Sequence, residues 1–216
     1  MKKLLLKSYA KINIALNVLG KQKDGYHVLD MVMLPLELHD SILLSEDKNG
    51  KDNYVTIDDF SMGDIQYNLA SFAIDTLQKE YGFKNKFRVL IHKNLPIQAG
   101  LGGGSSNAAA TMLGVNKILR LGMQKKDLIR IGKKLGADVP FFTQNKPARC
   151  EGIGEKLTPI TVKNNYYVLL VKPEQGCSTK ATYALADTMK IKTYNIEKVI
   201  KALELGDDEM LAKYIG

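Results

Sequence analysis

Four glycines crowd into residues 100–104, interrupted only by Leu101, and a segment with helical periodicity follows them at once. Glycine adopts positive φ angles without steric cost and leaves backbone N–H groups uncovered by a side chain, so such a run can wrap around a phosphate. We predict that Ser105, Ser106 and Asn107, which come next, supply the N-cap and hydroxyl groups at the positive end of the helix dipole. The segment therefore predicts an anion-binding turn that opens a helix and suits a polyphosphate.

A flexible loop, or a close approach between a helix and a strand, is the other interpretation of a glycine run. Here the run follows a predicted strand and adjoins a helix start, which favours phosphate binding. Neither of the common phosphate signatures fits, however. The spacing of a Walker A loop occurs only from Gly20 to Gly25, which continues into Tyr26, and a dinucleotide fingerprint needs a glycine where Ser105 stands.

Short apolar runs between polar turns indicate strands, and longer stretches with one apolar face indicate helices. The predicted strands cover residues 4–9, 12–19, 28–38, 41–44, 54–57, 86–92, 148–152 and 166–171. The predicted helices cover residues 65–81, 126–135, 179–189 and 196–205, with another starting at the glycine run. Gly82 and Gly136 are expected helix stops, the second with a left-handed cap. Strands first and helices interleaved later predict an α+β fold, with no linker that marks a sharp domain boundary.

The composition excludes several classes of protein. The 216 residues contain no run of about 18 to 20 apolar residues, so no membrane-spanning helix is predicted. The apolar residues near the N-terminus are too few for a signal-peptide core, and a cytoplasmic location is expected. Cys150 and Cys177 are too few for a disulfide framework and, with three histidines, form no zinc-binding pattern, so any metal is expected on oxygen ligands.

The formal net charge of +8 favours anionic partners: nucleic acid, anionic lipid or phosphorylated small molecules. Basic residues are spread along the chain in clusters no longer than pairs, such as Lys125-Lys126, and no arginine-rich run occurs. This distribution is more typical of a solvated, lysine-rich surface than of a nucleic-acid-binding patch.

Lys11 and Asp138 are the best candidates for chemistry at a bound nucleotide. Phosphoryl transfer needs positive charge on the transferring group, Mg²⁺, and a group that orients or deprotonates the acceptor hydroxyl. Lys11 lies among apolar neighbours, although a lysine snorkelling at a strand end explains it equally well. Asp138 precedes Pro140 and two phenylalanines. It could form an acid–base couple with a lysine or simply cap the next turn, and the residues alone leave both open.

Tyr26 and His27 follow a polar turn that ends in Asp24-Gly25. Exposed aromatic side chains on a turn often bind planar ligands such as nucleobases, whereas a tyrosine tucked over a hairpin is more common. The residues by themselves do not decide between these two interpretations.

Several of these segments together resemble the GHMP kinases, named for galactokinase, homoserine kinase, mevalonate kinase and phosphomevalonate kinase. Residues 96–106 are similar to the second motif of that family, Pro-x-x-x-Gly-Leu-Gly/Ser-Ser-Ser, with an extended glycine run. Four ordered motifs resemble more narrowly the members that act on CDP-methylerythritol. These motifs are Ala10-Lys11-Ile12-Asn13, Asp24-Gly25-Tyr26-His27, Gly102-Gly103-Gly104-Ser105-Ser106-Asn107-Ala108-Ala109 and Gly136-Ala137-Asp138-Val139-Pro140-Phe141-Phe142.

The resemblance implies transfer of the γ-phosphoryl group of ATP to the 2-hydroxyl of CDP-methylerythritol, a step of non-mevalonate isoprenoid biosynthesis, with Mg²⁺ as cofactor. It also implies α+β lobes built as two-layer sandwiches. An N-terminal, ATP-binding lobe similar to ribosomal protein S5 domain 2 is expected over residues 1–150. Residues 151–216 are expected to be the first part of a ferredoxin-like C-terminal lobe. Nothing after Gly176 resembles the third glycine-rich motif of the family, so the C-terminal lobe is expected to be truncated.

The resemblance also assigns roles to individual residues. Asp138 is implied as the catalytic base and Lys11 as its electrostatic partner. The residues implied in ATP binding are Asn68, Leu69, Lys93, Pro96, Gly100, Leu101, Gly102, Gly103, Gly104, Ser105 and Ser106. The residues implied in binding the cytidylyl acceptor are Asn13, Tyr26, His27 and Tyr183, of which the last closes the cytosine pocket. A hydroxyl of the glycine-rich turn could reach Mg²⁺, but the metal ligands stay unknown.

Two other functions compete with this one. A GHMP kinase for another small alcohol, such as mevalonate phosphate or homoserine, would share the glycine run, but those acceptors have no base for Tyr26 and His27 to contact. A non-catalytic, S5-like RNA-binding module would suit the basic charge and would be indifferent to changes at Lys11 and Asp138. We therefore expect ATP and CDP-methylerythritol as partners, and neither nucleic acid nor membrane; the sequence indicates no oligomeric state.

Overall fold

A computed structural model describes residues 2–23, 25–58, 68–174, 176, 178–189 and 191–215. The chain divides into two compact units, and neither is a single stretch of sequence. The first unit comprises Met1–Ala10, Leu36–Pro96 and Gly102–Asn145, and the second comprises Lys11–Pro35, Ile97–Leu101 and Lys146–Gly216. The predicted division into lobes at residue 150 stays a prediction.

Two long N-terminal strands are followed by four shorter strands and seven helices among the described residues. The strands are β1 (Lys3–Lys21), β2 (His27–Asp47), β3 (Tyr54–Ile57), β4 (Lys86–His92), β5 (Ala148–Gly152) and β6 (Lys156–Pro159). The helices are α1 (Leu69–Tyr81), α2 (Gly103–Leu119), α3 (Lys125–Leu135), α4 (Val139–Gln144), α5 (Thr179–Ala186), α6 (Ile196–Leu205) and α7 (Asp208–Tyr214). The α+β prediction is confirmed. Among the described residues, no helix combines the length and apolar character that crossing a membrane requires.

The first unit is a sheet covered by helices. Its strands run in the order β3-β4-β2, with β3 parallel and β2 antiparallel to β4. Burial alternates along β4, where Phe87, Val89 and Ile91 are buried, as expected of a strand with one face in a core. Helix α2 lies so close to the sheet that a Cβ atom on Gly114 would come within 2.5 Å of Leu44 Cδ2. The sheet thereby fixes the position of α2 and of the turn that opens it.

The second unit pairs β2 with β5 and β5 with β6, both antiparallel. Its core joins these strands to the last two helices. The buried apolar residues of this cluster are Ala15, Val32, Ile196, Val199, Ala202, Leu203 and Leu211. Asn17 connects β1 to the segment before α6 by two hydrogen bonds. Its side-chain NH₂ donates to the carbonyl of Tyr194 at 2.8 Å, and its side-chain oxygen accepts from the backbone amide of Tyr194 at 2.7 Å.

Two pairs of predicted strands are each one continuous strand in the structure. The runs 4–9 and 12–19 are joined in β1, and the runs 28–38 and 41–44 are joined in β2. The predicted break in β1 falls at residues 10 and 11. Lys11 is in fact 6% exposed and remains in the strand, because no glycine, proline or Asx residue is present there to turn the chain.

The predicted strand at residues 166–171 is wrong. The structure places no secondary structure there, and Tyr167, Leu169 and Val171 are 104%, 89% and 85% exposed. A strand needs a neighbour to satisfy its backbone groups, and within the described part of the chain no strand is paired with this segment. Its β-branched and aromatic composition alone therefore does not produce a strand.

Helix boundaries differ from the predictions at several ends. Helix α1 begins at Leu69, while the predicted residues 65–67 lie outside those the structure describes; Asn68 caps it and Gly82, with φ 69°, ends it as predicted. The predicted helix 126–135 begins one residue earlier, and the predicted helix 179–189 ends at Ala186. Gly136 does end α3, but with an extended φ of 167° rather than a left-handed cap. The short elements α4, β6 and α7 were not predicted, because they contain too few residues to show a period.

Candidate active site

The glycine-rich turn ends at Gly102, which has a left-handed backbone conformation and directly precedes helix α2. Gly100 and Gly102 both have φ 72°, and Gly102 is the N-cap of α2, with no side-chain hydrogen bond at the cap. The amide of Ser106 donates to the carbonyl of Gly102 at 2.8 Å, so the two serines lie inside the first helical turn. The prediction that residues 105–107 supply the N-cap is therefore wrong. A glycine cap leaves the first amides of α2 to a ligand, since it has no side-chain oxygen that could accept from them.

Hydrogen bonds connect the turn and the helix behind it to β1. In the first unit, the Ser8 hydroxyl donates to Asn107 Oδ1 at 2.6 Å, and both side chains are buried. In the second unit, the amide of Lys11 donates to the carbonyl of Leu101 at 3.0 Å. Lys11 lies in the predicted motif of residues 10–13 and Ser8 shortly before it, while Asn107 lies in the predicted motif of residues 102–109 and Leu101 just before it. The structure thus brings these two motifs into contact through residues about 90 to 100 positions apart.

A buried ion pair lies next to the turn. Lys93 Nζ bonds Asp40, whose carboxylate is fully buried and also accepts from the amides of Asn94 and Leu95 at 2.9 and 2.8 Å. A Cβ atom on Gly103 would lie 3.4 Å from Lys93 Nζ, which places this ammonium beside the start of α2. Asp40 was missed by the sequence analysis, because nothing in the segment around it signals that strand β2 turns this side chain inward.

The start of α1 also lies beside the turn. The Asn68 side chain accepts from the amide of Ala70 at 2.8 Å, so it is an N-cap. A Cβ atom on Gly104 would lie 3.7 Å from Leu69 Cδ1. Pro96 is exposed and precedes the turn in the chain. The predicted ATP-binding residues of the first unit, including Lys93, are therefore gathered around the N-terminus of α2.

Asp138 occupies the N-cap position of α4 but its side chain makes no capping hydrogen bond. Capping the turn ahead of Pro140 is thus not what this carboxylate does. The segment that carries it lies against α2, since a Cβ atom on Gly136 would be 3.7 Å from Ser105 Oγ. The partly buried Asp138 is followed by residues 139–142, which are all buried. Packing of this apolar segment fixes the backbone at Asp138, two residues after the glycine that approaches Ser105.

Lys11 belongs to the second unit. It lies in the middle of β1 with its side chain buried, so it is not a lysine snorkelling at a strand end. Its Nζ lies 3.4 Å from Oδ1 of Asn13, which is two residues further and on the same face of the strand. The structure thus brings together two of the predicted site residues of this unit.

The predicted cytidylyl-binding residues His27 and Tyr183 meet in the second unit. Their rings stack with centroids 4.7 Å apart and planes 15° apart. His27 Nε2 lies 2.7 Å from Asp187 Oδ1, and Lys21 Nζ lies 2.6 Å from Asp187 Oδ2. Tyr26, beside them in the chain, is 55% exposed. Because Tyr183 covers one face of the imidazole, there is no open slot between these two rings.

Asp187 was missed by the sequence analysis. The ammonium of Lys21, followed by the ring of His27, holds the pKa of this carboxyl below its usual value through hydrogen bonds. The one signal in the sequence is its spacing, four residues after Tyr183, which places both on one helix face.

Among the residues that the structure describes, no group of three or more His, Cys, Asp or Glu side chains is placed to hold a metal ion.

Comparison with known proteins gives a consistent result. Residues 68–146 match the model of the GHMP kinases N terminal domain. A protein of Caldicellulosiruptor bescii named 4-diphosphocytidyl-2-C-methyl-D-erythritol kinase is 41% identical over 210 residues, which are 96% of this chain and 73% of that protein. A protein of Clostridium perfringens with the same name is 38% identical over 209 residues, 96% of this chain and 72% of that protein.

Solved structures show the same fold. The crystal structure of a 4-(cytidine 5'-diphospho)-2C-methyl-D-erythritol kinase matches with a TM-score of 0.72 and 27% identity, over 94% of this chain and 72% of that one. The homoserine kinase of Cytophaga hutchinsonii matches with a TM-score of 0.65 and 16% identity, over 99% of this chain and 71% of that one, which shows shared fold alone.

The fold, and the glycine-rich turn at the start of α2, define a GHMP kinase. Within that class, identity of 38–41% over nearly the whole chain decides the family. The chain belongs to the 4-diphosphocytidyl-2-C-methyl-D-erythritol kinase family.

Proposed function

We propose that this chain transfers the γ-phosphoryl group of ATP to the 2-hydroxyl of 4-diphosphocytidyl-2-C-methyl-D-erythritol. The acceptor follows from the family to which the chain belongs. The observation that carries the proposal is the position of the Asp138 segment, which packs on the first turn of α2 where Gly136 approaches Ser105. This packing supports a position for the Asp138 carboxylate on the side of α2 whose first amides suit a triphosphate.

The proposed reaction has a simple balance. Asp138 takes the proton of the acceptor hydroxyl, the oxygen forms a bond to the γ-phosphorus, and the bond from that phosphorus to the β,γ-bridging oxygen breaks to release ADP. The amides at the start of α2 and the ammonium group of Lys11 stabilise the negative charge of the transferring group. Mg²⁺, bound with the nucleotide, would neutralise phosphate charge, and a hydroxyl of the turn, such as that of Ser105, would help to hold it.

The remaining predicted residues bind the two substrates. Asn68, Leu69 and Lys93 surround the turn and are proposed to hold the nucleoside end of ATP. Asn13, Tyr26, His27 and Tyr183 are proposed to hold the acceptor, the aromatic ones at its cytosine base. The reaction is proposed to take place in the cytoplasm, where ATP is available.

The test is ADP release from ATP and Mg²⁺ with CDP-methylerythritol, mevalonate phosphate and homoserine offered in turn. We expect turnover with the cytidylyl acceptor alone, because the other two have no base for Tyr26 and His27. The product is to be identified by phosphorus NMR as a phosphomonoester at the 2-position. Turnover with mevalonate phosphate or homoserine, and none with the cytidylyl acceptor, would contradict the proposal.

A further inference from the structure

Two residues of one short helix hold His27. Tyr183, in α5, stacks on the imidazole at a centroid distance of 4.7 Å. Asp187, the C-cap residue of α5, is bonded to Nε2 of the same imidazole at 2.7 Å. The amide of Asp187 donates to the carbonyl of Tyr183 at 3.0 Å, so the two side chains are one helical turn apart on the same face. Helix α5 therefore brings a stacking ring and a carboxylate to one histidine.

We propose that Asp187 is a positioning residue, which fixes the tautomer of His27 and thereby makes the acceptor site prefer cytosine to uracil. The inference rests on the proposed function, because it takes His27 as the residue that meets the base. It adds a residue that the sequence analysis did not identify and a source of base specificity.

The tautomer follows from the chemistry of the contact. An ionised carboxylate has no hydrogen to donate, so His27 Nε2 must donate its hydrogen to Asp187. In a neutral imidazole, the second nitrogen, Nδ1, then carries a lone pair and accepts. The side chain of His27 is 9% exposed, and the ring of Tyr183 covers one of its faces, so the imidazole cannot turn over to exchange the two nitrogens.

Asp187 is built to stay ionised. Its second oxygen, Oδ2, accepts from Lys21 Nζ at 2.6 Å, which leaves Oδ1 for His27. The bonds from Lys21 and from His27 lower the pKa of the Asp187 carboxyl. The ionised carboxylate can therefore only accept a hydrogen bond from the imidazole of His27.

An accepting Nδ1 distinguishes the two pyrimidines at position 4. Cytosine has an amino group there, which donates, whereas uracil has a carbonyl oxygen, which accepts. Cytosine can donate to Nδ1, but uracil places two lone pairs against each other, and a polar group left unmatched in a protected site lowers affinity. A mismatch of this kind corresponds to about tenfold to a hundredfold in affinity.

The test is the ratio of the dissociation constants of UDP and CDP, measured by calorimetry with each nucleotide alone. The wild-type chain is expected to bind CDP at least about tenfold more tightly than UDP. In Asp187→Asn, the side-chain amide can donate to Nε2, which moves the ring hydrogen to Nδ1 and turns this atom into a donor. We expect the ratio to fall to about one or to invert, because Nδ1–H now matches the carbonyl of uracil.

Two variants separate positioning from structure. Asp187→Glu keeps an acceptor-only carboxylate and is expected to restore most of the CDP preference. Lys21→Gln removes the other partner of Asp187 and is expected to keep the ratio within about twofold, since the bond to His27 remains. The ATP dissociation constant and the thermal midpoint, measured for every variant, report whether the fold is intact.

The two proposals fail in different ways. A wild-type chain that phosphorylates CDP-methylerythritol, together with an Asp187→Asn variant that keeps the wild-type ratio, overturns the role of Asp187 and leaves the proposed function standing. A wild-type chain that binds neither CDP nor CDP-methylerythritol, while it turns over another acceptor, overturns both.

Discussion

At the scale of single residues, Asp138 is the side chain on which turnover depends most directly. Asp138→Asn keeps the size of the side chain but cannot accept a proton, so we expect kcat to fall by about 10²- to 10⁴-fold. The ATP dissociation constant should stay within about twofold, because the glycine-rich turn is unaltered. Steady-state kinetics and calorimetry measure the two effects.

Asp127→Asn is the matched control for Asp138→Asn. Asp127 accepts from the amide of Gln124 at 3.0 Å in the capping box of α3, so its loss should reduce stability by about 0.5–2 kcal/mol and leave kcat unchanged. A wild-type rate in Asp138→Asn would remove this residue from the chemistry.

Lys11 is expected to act on the rate rather than on nucleotide binding. Lys11→Ala removes a buried ammonium that is proposed to stabilise charge on the transferring phosphoryl group, so kcat should fall about 10²-fold or more. Lys11→Arg, which keeps the charge in a different shape, should be intermediate. Stopped-flow measurement of phosphoryl transfer would show the loss in the chemical step; an unchanged single-turnover rate in Lys11→Ala would contradict the assignment.

Asp40 lies beside the glycine-rich turn, and its buried ion pair with Lys93 also affects the stability of the fold. Asp40→Asn leaves Lys93 buried without its counter-charge, which costs about 3–5 kcal/mol and shows as a lower urea midpoint. Adding Lys93→Met should recover most of that loss, because an apolar replacement of both partners is often neutral. Glu80→Gln is the exposed control: its pairs with Arg130 and Lys134 lie at the surface, and we expect little change. A double variant no more stable than Asp40→Asn would show that the charge is not the cause.

At the scale of elements, the start of α2 is the most constrained segment. In Gly103→Val, the new Cβ atom would lie 3.4 Å from both Lys93 Nζ and Leu95 Cδ1, and its methyl groups would cover the first amides of the helix. ATP affinity is expected to fall about tenfold or more, as measured by calorimetry. Gly20→Val is the control, since a Cβ atom there meets nothing within 4 Å. ATP affinity unaffected by Gly103→Val would exclude these amides as phosphate donors.

Residues 166–171 form an element that composition predicts and the structure does not contain. These six consecutive residues are aromatic, leucine or valine, and all of them are exposed. An exposed apolar segment with unpaired backbone groups readily forms strand pairs with another chain. We expect this chain to self-associate with increasing concentration, and Leu169→Lys to reduce that association. Analytical ultracentrifugation measures it, with Leu205→Lys as a control at another exposed leucine. Equal association in both variants would show that the segment is not responsible.

At the scale of the whole molecule, acid should weaken the fold. Hydrogen bonds lower the pKa of Asp47, Asp58, Glu80 and Asp187, with Arg88, the Lys93 amide, Lys134 and Lys21 as the respective main partners. A carboxyl whose pKa is lower in the folded state stabilises it above the unfolded value, and that stability is lost as the pH falls through the folded value. The urea midpoint should therefore be constant near neutral pH and fall below about pH 4. Added salt should make the fall of the urea midpoint between neutral and acid pH smaller, because it screens these exposed charges. A urea midpoint that rises below pH 4 would contradict the prediction.

The sequence by itself determined the α+β class, the glycine-rich turn before α2 and the motifs that mark the family, because these depend on local periodicity and on what glycine permits. It determined β3, β4, β5 and α6 to the residue, since each has an unbroken pattern between clear turn signals. The tertiary structure alone decided which distant residues meet. Asp40 meets Lys93, Ser105 meets Gly136 and His27 meets Asp187, although the partners are 53, 31 and 160 positions apart in the chain. It also decided that Lys11 is buried within one long strand and that residues 166–171 form none. Both outcomes depend on neighbouring strands and helices, which supply or withhold hydrogen bonds and cover, and no local pattern contains that information.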